Sequence, residues 1–553
     1  MQEGKLLAHA LKLGYGTLRP DDVRQALADS PDVLRSEIDT IGYLTTRSMV
    51  HAEDKMLSLA TEGKGKFPPI NENYEPKQDF LNELQKKAIK DLLNSTSQSS
   101  ILRGAAGSGK TSLLTEVRDA IKETGRGIFA VAPSAQASRN VLRKQGFDAD
   151  TISALLHNPE LQKKVLPNNV LLVDEAGMIG VKNASEILTL AKKHKTRVIW
   201  SGDTRQHGAP GQYGDALRIM QDQAQLPTAT VQKIVRQKPD DYRKAVEQLA
   251  KGRNLEGFKV LDKMNAIQEI PDTDERLDAL ANAYVQSIKA KRSALIISPT
   301  HFEGDIITKS VREKLREEGR IQGPDRSFES LKNLSFTQSQ KQDLVNYQEG
   351  QIVRFTKNQK GGFKAGSHHQ VLSSGDRKPP QIKDLKTGEI KPLPHKGAEY
   401  FDVYERKNLS IAKGDLITVT ANTTSLENSK INNGNTYRIT GFGKNKEIKL
   451  DNGKTLSKDT QHIRHGIVST SHASQGKTVK DVYISMSNTS LPAVNEQHFY
   501  VSASRGTHSV KVFTDDKKAL KQAVARSGQC MTARQVADDH NRVLHQQKQR
   551  AHH

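Results

Sequence analysis

Residues 104–111 read Gly-Ala-Ala-Gly-Ser-Gly-Lys-Thr. This spacing lets the backbone of Gly107, Ser108 and Gly109 wrap a pyrophosphate while Lys110 reaches the β and γ oxygens and the Thr111 hydroxyl ligates Mg²⁺. A second candidate lies where the apolar run Val170-Leu171-Leu172-Val173 meets Asp174-Glu175-Ala176-Gly177. An acidic pair at the end of a buried strand is a poor structural choice. It suits metal coordination by Asp174 and water activation by Glu175. A third stretch, Ile199-Trp200-Ser201-Gly202-Asp203-Thr204-Arg205-Gln206, ends in the same way. Asp203 and Gln206 are placed to sense a γ-phosphate through metal or water.

These residues need rigid supports. Ser100 to Arg103 read as a short buried strand and Thr111 to Glu123 as a helix closing at Gly125, so a bound phosphate would sit on a helix N-terminus. Around them strands (128–132, 170–173, 197–200) alternate with helices (80–93, with Gln85; 137–144; 184–193). Such alternation predicts a parallel sheet covered by helices on both faces, with functional residues at the C-terminal ends of its strands. Further on, 293–298 reads as a strand, 303–318 as a helix, and 467–470, 482–485 and 510–513 as buried strands closing a second parallel sheet. Between them the texture changes to short alternating strands and turns such as Asn432-Asn433-Gly434-Asn435, which predicts two small antiparallel barrels.

Lys and Arg number 84 against 63 acidic residues, a balance of +21, which points to a polyanion and first to nucleic acid. Trp200 is the sole tryptophan and aromatics make up 5% of the chain, so rows of stacking rings are not expected to carry single-strand binding. A single cysteine, Cys530, excludes an internal disulfide and a Cys-rich zinc site. No run reaches the roughly 18 apolar residues that cross a bilayer, so no membrane insertion and a cytoplasmic location are expected. His368-His369 and His552-His553 stand in polar surroundings and read as solvated pairs. The basic segment 520–549 reads as a helical tail that frays.

The order of Gln85, the 104–111 loop, Ala132-Pro133-Ser134-Ala135-Gln136, Asp174 to Gly177 and Gly202 to Gln206 resembles the first motor domain of a superfamily-one helicase of the RecD-like branch. Val235-Arg236-Gln237, Ser471-His472-Ala473-Ser474-Gln475-Gly476-Lys477-Thr478 and Tyr500-Val501-Ser502-Ala503-Ser504-Arg505-Gly506 resemble motifs of the second. More narrowly, these last two motifs, Tyr43 to Arg47 and the basic C-terminal segment are similar to the helicase portion of TraI/TrwC-type conjugative relaxases.

The resemblance implies an α/β fold: two RecA-like parallel-sheet domains, Src-homology-like barrel insertions in the second, and a helical N-terminal module. The expected divisions are 1–66 (helical or winged-helix), 67–230 (first motor domain), 231–345 and 465–520 (second motor domain), 346–408 and 409–464 (β insertions) and 521–553 (tail). It implies ATP and Mg²⁺ as ligands and single-stranded DNA as partner, with conjugation-apparatus proteins beside it. Catalysis would fall to Lys110, Glu175, Gln206, Arg236 and Arg505, and nucleotide contact to Gln85, residues 107–111, Gln475 and Gly476. Thr111 and Asp174 would hold the metal. DNA contact would fall to Pro133, Ser134, Thr151, Ser298, Thr300 and His472.

The implied activity is ATP-driven translocation on single-stranded DNA, 5′ to 3′, with unwinding. The alternative is a weak or vestigial motor that only grips single strands. Such relaxases begin with a nicking domain bearing a tyrosine and a metal-binding His cluster. No such cluster precedes residue 79, and no nicking is expected of this chain.

Overall fold

The computed structural model describes residues 1–14, 17–38, 40–208, 213–373, 378–394, 398–529 and 531–551. Cys530 and His552-His553 lie outside them. The chain divides into two compact units: 1–276, 287–303 and 470–553 form one, and 277–286 with 304–469 the other.

The first unit holds two parallel sheets. One is six-stranded, in the order Asp148–Thr151, Ile128–Ala132, Val170–Val173, Arg197–Gly202, Ser99–Gly104, Thr228–Val231. Its inner strands are largely apolar on both faces, as a helix-covered parallel sheet requires. Along them the side chains alternate between two cores: Ile101, Leu171, Val173, Val198 and Trp200 point one way, and Leu102, Val170, Leu172 and Ile199 the other. The edge strands 148–151 and 228–231 escape a reading by hydropathy because they are short and half polar (Asp-Ala-Asp-Thr and Thr-Ala-Thr-Val). The strands of this unit in the second sheet run Ala294–Ile297, Val479–Ser485, Gly506–Thr514, Ile267–Glu269, again parallel. It is covered by Asp240–Ala250, Asn254–Lys263, Glu496–Ala503 and Lys517–Ala525, whose buried faces share its core.

The N-terminal segment places helices Glu3–Leu13 and Pro20–Asp29 before an antiparallel hairpin, Val33–Ile38 with Ile41–Thr46. Thr45 and Thr46 belong to that hairpin; the helix starts at Arg47, with the Thr46 hydroxyl accepting the Met49 N–H. Met56, Leu57 and Ala60 of this helix enter the core of the first sheet, so it is part of that lobe's packing.

The C-terminal segment is a correction to the expected fraying tail. It is two helices, Lys517–Ala525 and Ala533–Ala551. The Glu53 carboxylate caps the second by accepting from the N–H groups of Ala533 and Arg534 (2.9 and 3.0 Å), and Ser36 donates to Asp539. Val536 and Ala537 are buried. Apolar anchorage and a buried acid as N-cap hold the first turns against the hairpin.

In the second unit an antiparallel six-stranded sheet runs Gln322–Asn333, Phe401–Lys413, Ile352–Phe355, His368–Val371, Gln381–Asp384, Ile390–Pro392. A five-stranded one runs Thr455–Leu456, Ile448–Leu450, Thr436–Phe442, Leu416–Val419, Ile463–His465. The long strands 322–333 and 401–413 pair with each other, so residues expected in the second motor domain join the insertions, and 401–413 runs across the division at 408. Phe328 and Ile411 on them sit in the core of the five-stranded sheet, while Phe401 and Val403 sit in that of the six-stranded one. One ribbon thus serves both cores. It turns at Gly414, whose φ of 98° and the Arg320 carbonyl 2.0 Å from any Cβ admit only glycine.

His368-His369 also departs from the solvated reading. His369 is buried, with Nε2 at 2.9 Å from Ser367 Oγ, and His368 Nε2 lies 2.8 Å from His462 Nε2. Residues 152–165 form two short helices, Ile152–His157 and Pro159–Val165. Among the described residues no helix is long and apolar enough to cross a membrane.

Candidate functional site

The 104–111 loop connects the strand Ser99–Gly104 to the helix Lys110–Glu123. Left-handed φ at Gly107 (84°) and Gly109 (77°) turns it, a conformation glycine takes without strain. Its neighbours also leave no room. A Cβ on Gly107 would lie 2.5 Å from Arg236 Cβ, and one on Gly109 2.7 Å from Gln85 Nε2. Gln85 caps its own helix by accepting the Asn82 N–H and holds the loop by donating to the Ser108 carbonyl at 3.1 Å. Lys110 donates to the carbonyls of Gly104 and Ala105, which keeps its ammonium within the loop. Ser108 Oγ is buried without a hydrogen-bond partner, and Thr111 is exposed on the first helical turn.

The neighbouring strand ends bring up the acids. Ser201 donates to Asp174 at 3.0 Å. Burial pushes the Asp174 carboxyl up to about 6, with Glu175 adding repulsion and Lys110 opposing it. Glu175 stands in the left-handed region at φ 51°, a conformation that costs a non-glycine residue of order 1 kcal/mol. Across from it, Gln475 Nε2 lies 3.4 Å from Glu175 Oε2, and a Cβ on Gly476 would lie 3.9 Å from Oε1. The Gly177 and Gly202 loops touch directly: a Cβ on Gly202 would meet the Gly177 nitrogen at 2.9 Å.

The second lobe closes on this loop. Val235 N–H donates to the Gly107 carbonyl (2.9 Å), and Arg236 packs over Gly107 while donating to the Ser504 carbonyl (3.0 Å). Arg505, 2% exposed, donates to the Val501 carbonyl (2.8 Å) and to Ser504 Oγ (2.7 Å). Burial and the nearby Arg236 cation lower its guanidinium to about 10, with Glu175 pulling the other way. The buried Arg505 and half-buried Arg236 guanidiniums repel each other, and their hydrogen bonds run to carbonyl and hydroxyl oxygens, an arrangement suited to an anion.

Tyr500, which the motif reading left without a role, ties the lobes together. Ala106 N–H donates to its oxygen (2.8 Å), and its O–H donates to Asp203 (2.8 Å). Gln206 donates to that same Asp203 oxygen at 3.2 Å. Fully buried, Tyr500 keeps its proton, because burial and the Asp203 charge raise its pKa well above the usual value. Its position within Tyr500 to Gly506 was the available signal.

The residues expected to touch DNA are spread more widely. Pro133 and Ser134 follow the strand Ile128–Ala132, and Ser134 Oγ accepts the Ala137 N–H beside the wide-turn helix Gln136–Leu142. Thr151 caps the helix Ile152–His157. Ser298 is fully buried and donates to Glu303 (2.9 Å), which also accepts from Ser485 (2.7 Å). Its hydroxyl is therefore engaged internally. Thr300 Oγ1 accepts the Glu303 N–H, and His472 is exposed and stacked on His207.

A family model described as an AAA domain matches residues 80–272, and one described as a viral superfamily 1 RNA helicase core domain matches residues 371–514. The multifunctional conjugation protein TraI of Escherichia coli (strain K12) is 30% identical over 220 residues, 38% of this chain and 12% of TraI. The conjugal transfer protein TraA of Rhizobium radiobacter is 25% identical over 309 residues, 52% of this chain and 27% of TraA. The chain thus spans between an eighth and about a quarter of the length of these relatives. Among solved structures, Pif1 helicase from Bacteroides in complex with ADP-AlF3 and ssDNA is 18% identical, with TM-score 0.39 over 81% of this chain and 95% of that one. Pif1 helicase from Candida albicans is 15% identical, with TM-score 0.39 over 84% and 100%. The family matches fall on the phosphate-loop lobe and on the later motifs, and over these stretches the chain is similar to a superfamily 1 helicase core and to the conjugal transfer proteins TraI and TraA.

Proposed function

We propose that the chain couples ATP hydrolysis to translocation along single-stranded DNA and to duplex unwinding, as the helicase part of a conjugal DNA-transfer protein. The observation that carries this reading is the meeting of Lys110, Asp174 and Glu175 from one lobe with Arg236 and Arg505 from the other around a single loop.

On this reading the phosphates lie on residues 107–111, with Lys110 released from the loop carbonyls to the β and γ oxygens and the adenine near Gln85. The donor chemistry fits a magnesium ion: an exposed hydroxyl, Thr111, on the first helical turn after the loop, and a carboxylate, Asp174, whose pKa burial raises and which it leaves short of positive charge. When bound, that ion neutralises charge on the β and γ oxygens. Glu175 orients the attacking water, and Arg236 and Arg505 stabilise charge developing on the γ-phosphoryl. Loss of the γ-phosphate releases Gln206 and Asp203, and Tyr500 carries that change to the second lobe. Pro133, Ser134, Thr151, Thr300 and His472 then hold the strand, with Ser298 supporting Thr300 from within.

The test is ATP hydrolysis with and without single-stranded DNA, followed by strand displacement from substrates with 5′ or 3′ overhangs. Stimulation by DNA and displacement from a 5′ overhang are the expected results. Salt-dependent DNA binding without turnover would favour the vestigial motor, and absence of DNA binding would reject both.

A further inference from the structure

Behind Gln206, three imidazoles from separate elements converge: His207 on the loop after the strand Arg197–Gly202, His472 in Ser471–Ser474 and His498 in Glu496–Ala503. One ring nitrogen of each lies within 4.8 Å of one of every other. The His207 and His472 rings stack at 3.7 Å, and His498 meets His207 edge-on at 4.7 Å. We propose that His207, His472 and His498 form a site for a borderline divalent transition ion of the zinc or cobalt class, joining the two parallel-sheet lobes.

Metal–imidazole bonds of about 2.0–2.1 Å in a tetrahedral arrangement put ligand nitrogens roughly 3.4 Å apart. The spacing here closes on such an ion once a ring leaves the stack, and His472 is the exposed one of the three. The environment matches the ligand chemistry. His207 Nε2 is already bonded to Ser471 Oγ at 2.7 Å, the kind of outer partner that orients a ligating histidine. His498 Nδ1 is buried without a hydrogen-bond partner. Beside its fellow imidazoles, the Arg505 cation acts on His207, which weakens the site without blocking it. Nitrogen donors without a carboxylate suit zinc or cobalt and not magnesium. An ion here would tie the loop after Gln206 to the opposite lobe, so on the proposed motor reading it acts as a clamp. Binding itself does not depend on that reading.

The experiment titrates the full chain with Co²⁺, read by its visible absorption, and then with Zn²⁺ in competition. The parent is expected to show one equivalent with the intense visible bands of a low-coordinate nitrogen site, displaced by Zn²⁺ and not by Mg²⁺. His472→Gln and His498→Gln each lower the affinity at least about tenfold, whereas His540→Gln, on the C-terminal helix, leaves it unchanged. Circular dichroism of each variant separates loss of a ligand from loss of fold, and the exposed position of His472 makes its variant the cleaner one. No visible band in the parent, or parent-like affinity in a folded His472→Gln, overturns the site. ATP hydrolysis plays no part in this readout, so failure of the motor reading and failure of the metal site are separable.

Discussion

The parallel-sheet unit and the antiparallel unit use polar residues in opposite ways. In the first, Asp174, Glu175, Asp203 and Gln206 follow directly on strand C-termini, and their contacts reach across to another loop or lobe. In the second, the strongest polar groups close on one another within the same unit. Arg312 binds both oxygens of fully buried Asp415 at 2.8 Å and Asp325 at 2.7 Å, while Asp415 also accepts the Ala412 N–H. A parallel strand must leave its sheet at each end, so its last residues open into a cleft. An antiparallel strand turns back on its neighbour, and its polar residues are spent holding register. The same residue types therefore read as chemistry in one unit and as scaffold in the other, and each prediction below asks whether that division holds.

The sharpest test is Arg505→Ala. A guanidinium acting on the γ-phosphoryl is worth about 10³–10⁵ in rate in phosphoryl transfer, so turnover should fall by at least about a thousandfold with ATP binding largely kept. Turnover within about threefold of the parent would reassign Arg505 to scaffold, tied to Val501, Ser504 and Lys477. Next comes Asp415→Asn, which leaves Arg312 partly uncompensated. Removing one member of a buried pair costs about 3–5 kcal/mol, so amide exchange in the strands 416–419 and 436–442 should quicken while ATP hydrolysis without DNA is unchanged.

The same division explains what the sequence revealed. Buried parallel strands announce themselves as apolar runs, and Ile128–Ala132 and Val170–Val173 stand where hydropathy puts them. The phosphate loop was equally legible, because its glycines carry backbone geometry that no other residue takes cheaply. Hydropathy could not show that Glu53 would cap a helix 480 residues further on, since that cap depends on long-range docking. Nor could it separate the two β insertions, because the ribbon of 322–333 with 401–413 contributes to both cores. The sequence brought Tyr500 into a motif but gave no reason to assign its hydroxyl to two partners in the other lobe.

Smaller in size is the pH response of His368 and His462. Their Nε2 atoms, 2.8 Å apart, share one proton at most, and burial together with Arg354 lowers them to about 4 and 3. Unfolded, each takes up its proton near pH 6.5. Between those values the unfolded chain holds more protons, so their contribution is complete above about pH 6.5 and is lost as pH falls towards 4. The slope reaches up to about 1.4 kcal/mol per pH unit for each. His369 and His465 of the same unit shift in the same direction, so the diagnostic is a difference: His462→Leu should flatten the profile of unfolding midpoint against pH in this window. An unchanged slope would mean that the pair is hydrated and charged, as side chains in polar turns are.

Tyr500→Phe gives the smallest effect and separates the two kinds of contact most finely. The ring still fills its buried place, so packing is kept. The lost oxygen leaves Ala106 N–H without its acceptor and Asp203 without one of its donors. An unpaired buried group costs about 1–3 kcal/mol, but a bound nucleotide can take up the freed Ala106 N–H. The penalty should therefore fall mainly on the form without nucleotide. The variant should melt earlier alone and regain part of the difference with an ATP analogue. If Tyr500 only braces the lobes, kcat and KM stay near the parent values. If it passes the state of Asp203 and Gln206 to the second lobe, stimulation of hydrolysis by DNA should drop about five- to tenfold while hydrolysis without DNA changes little, because only transmission across the cleft depends on that hydroxyl.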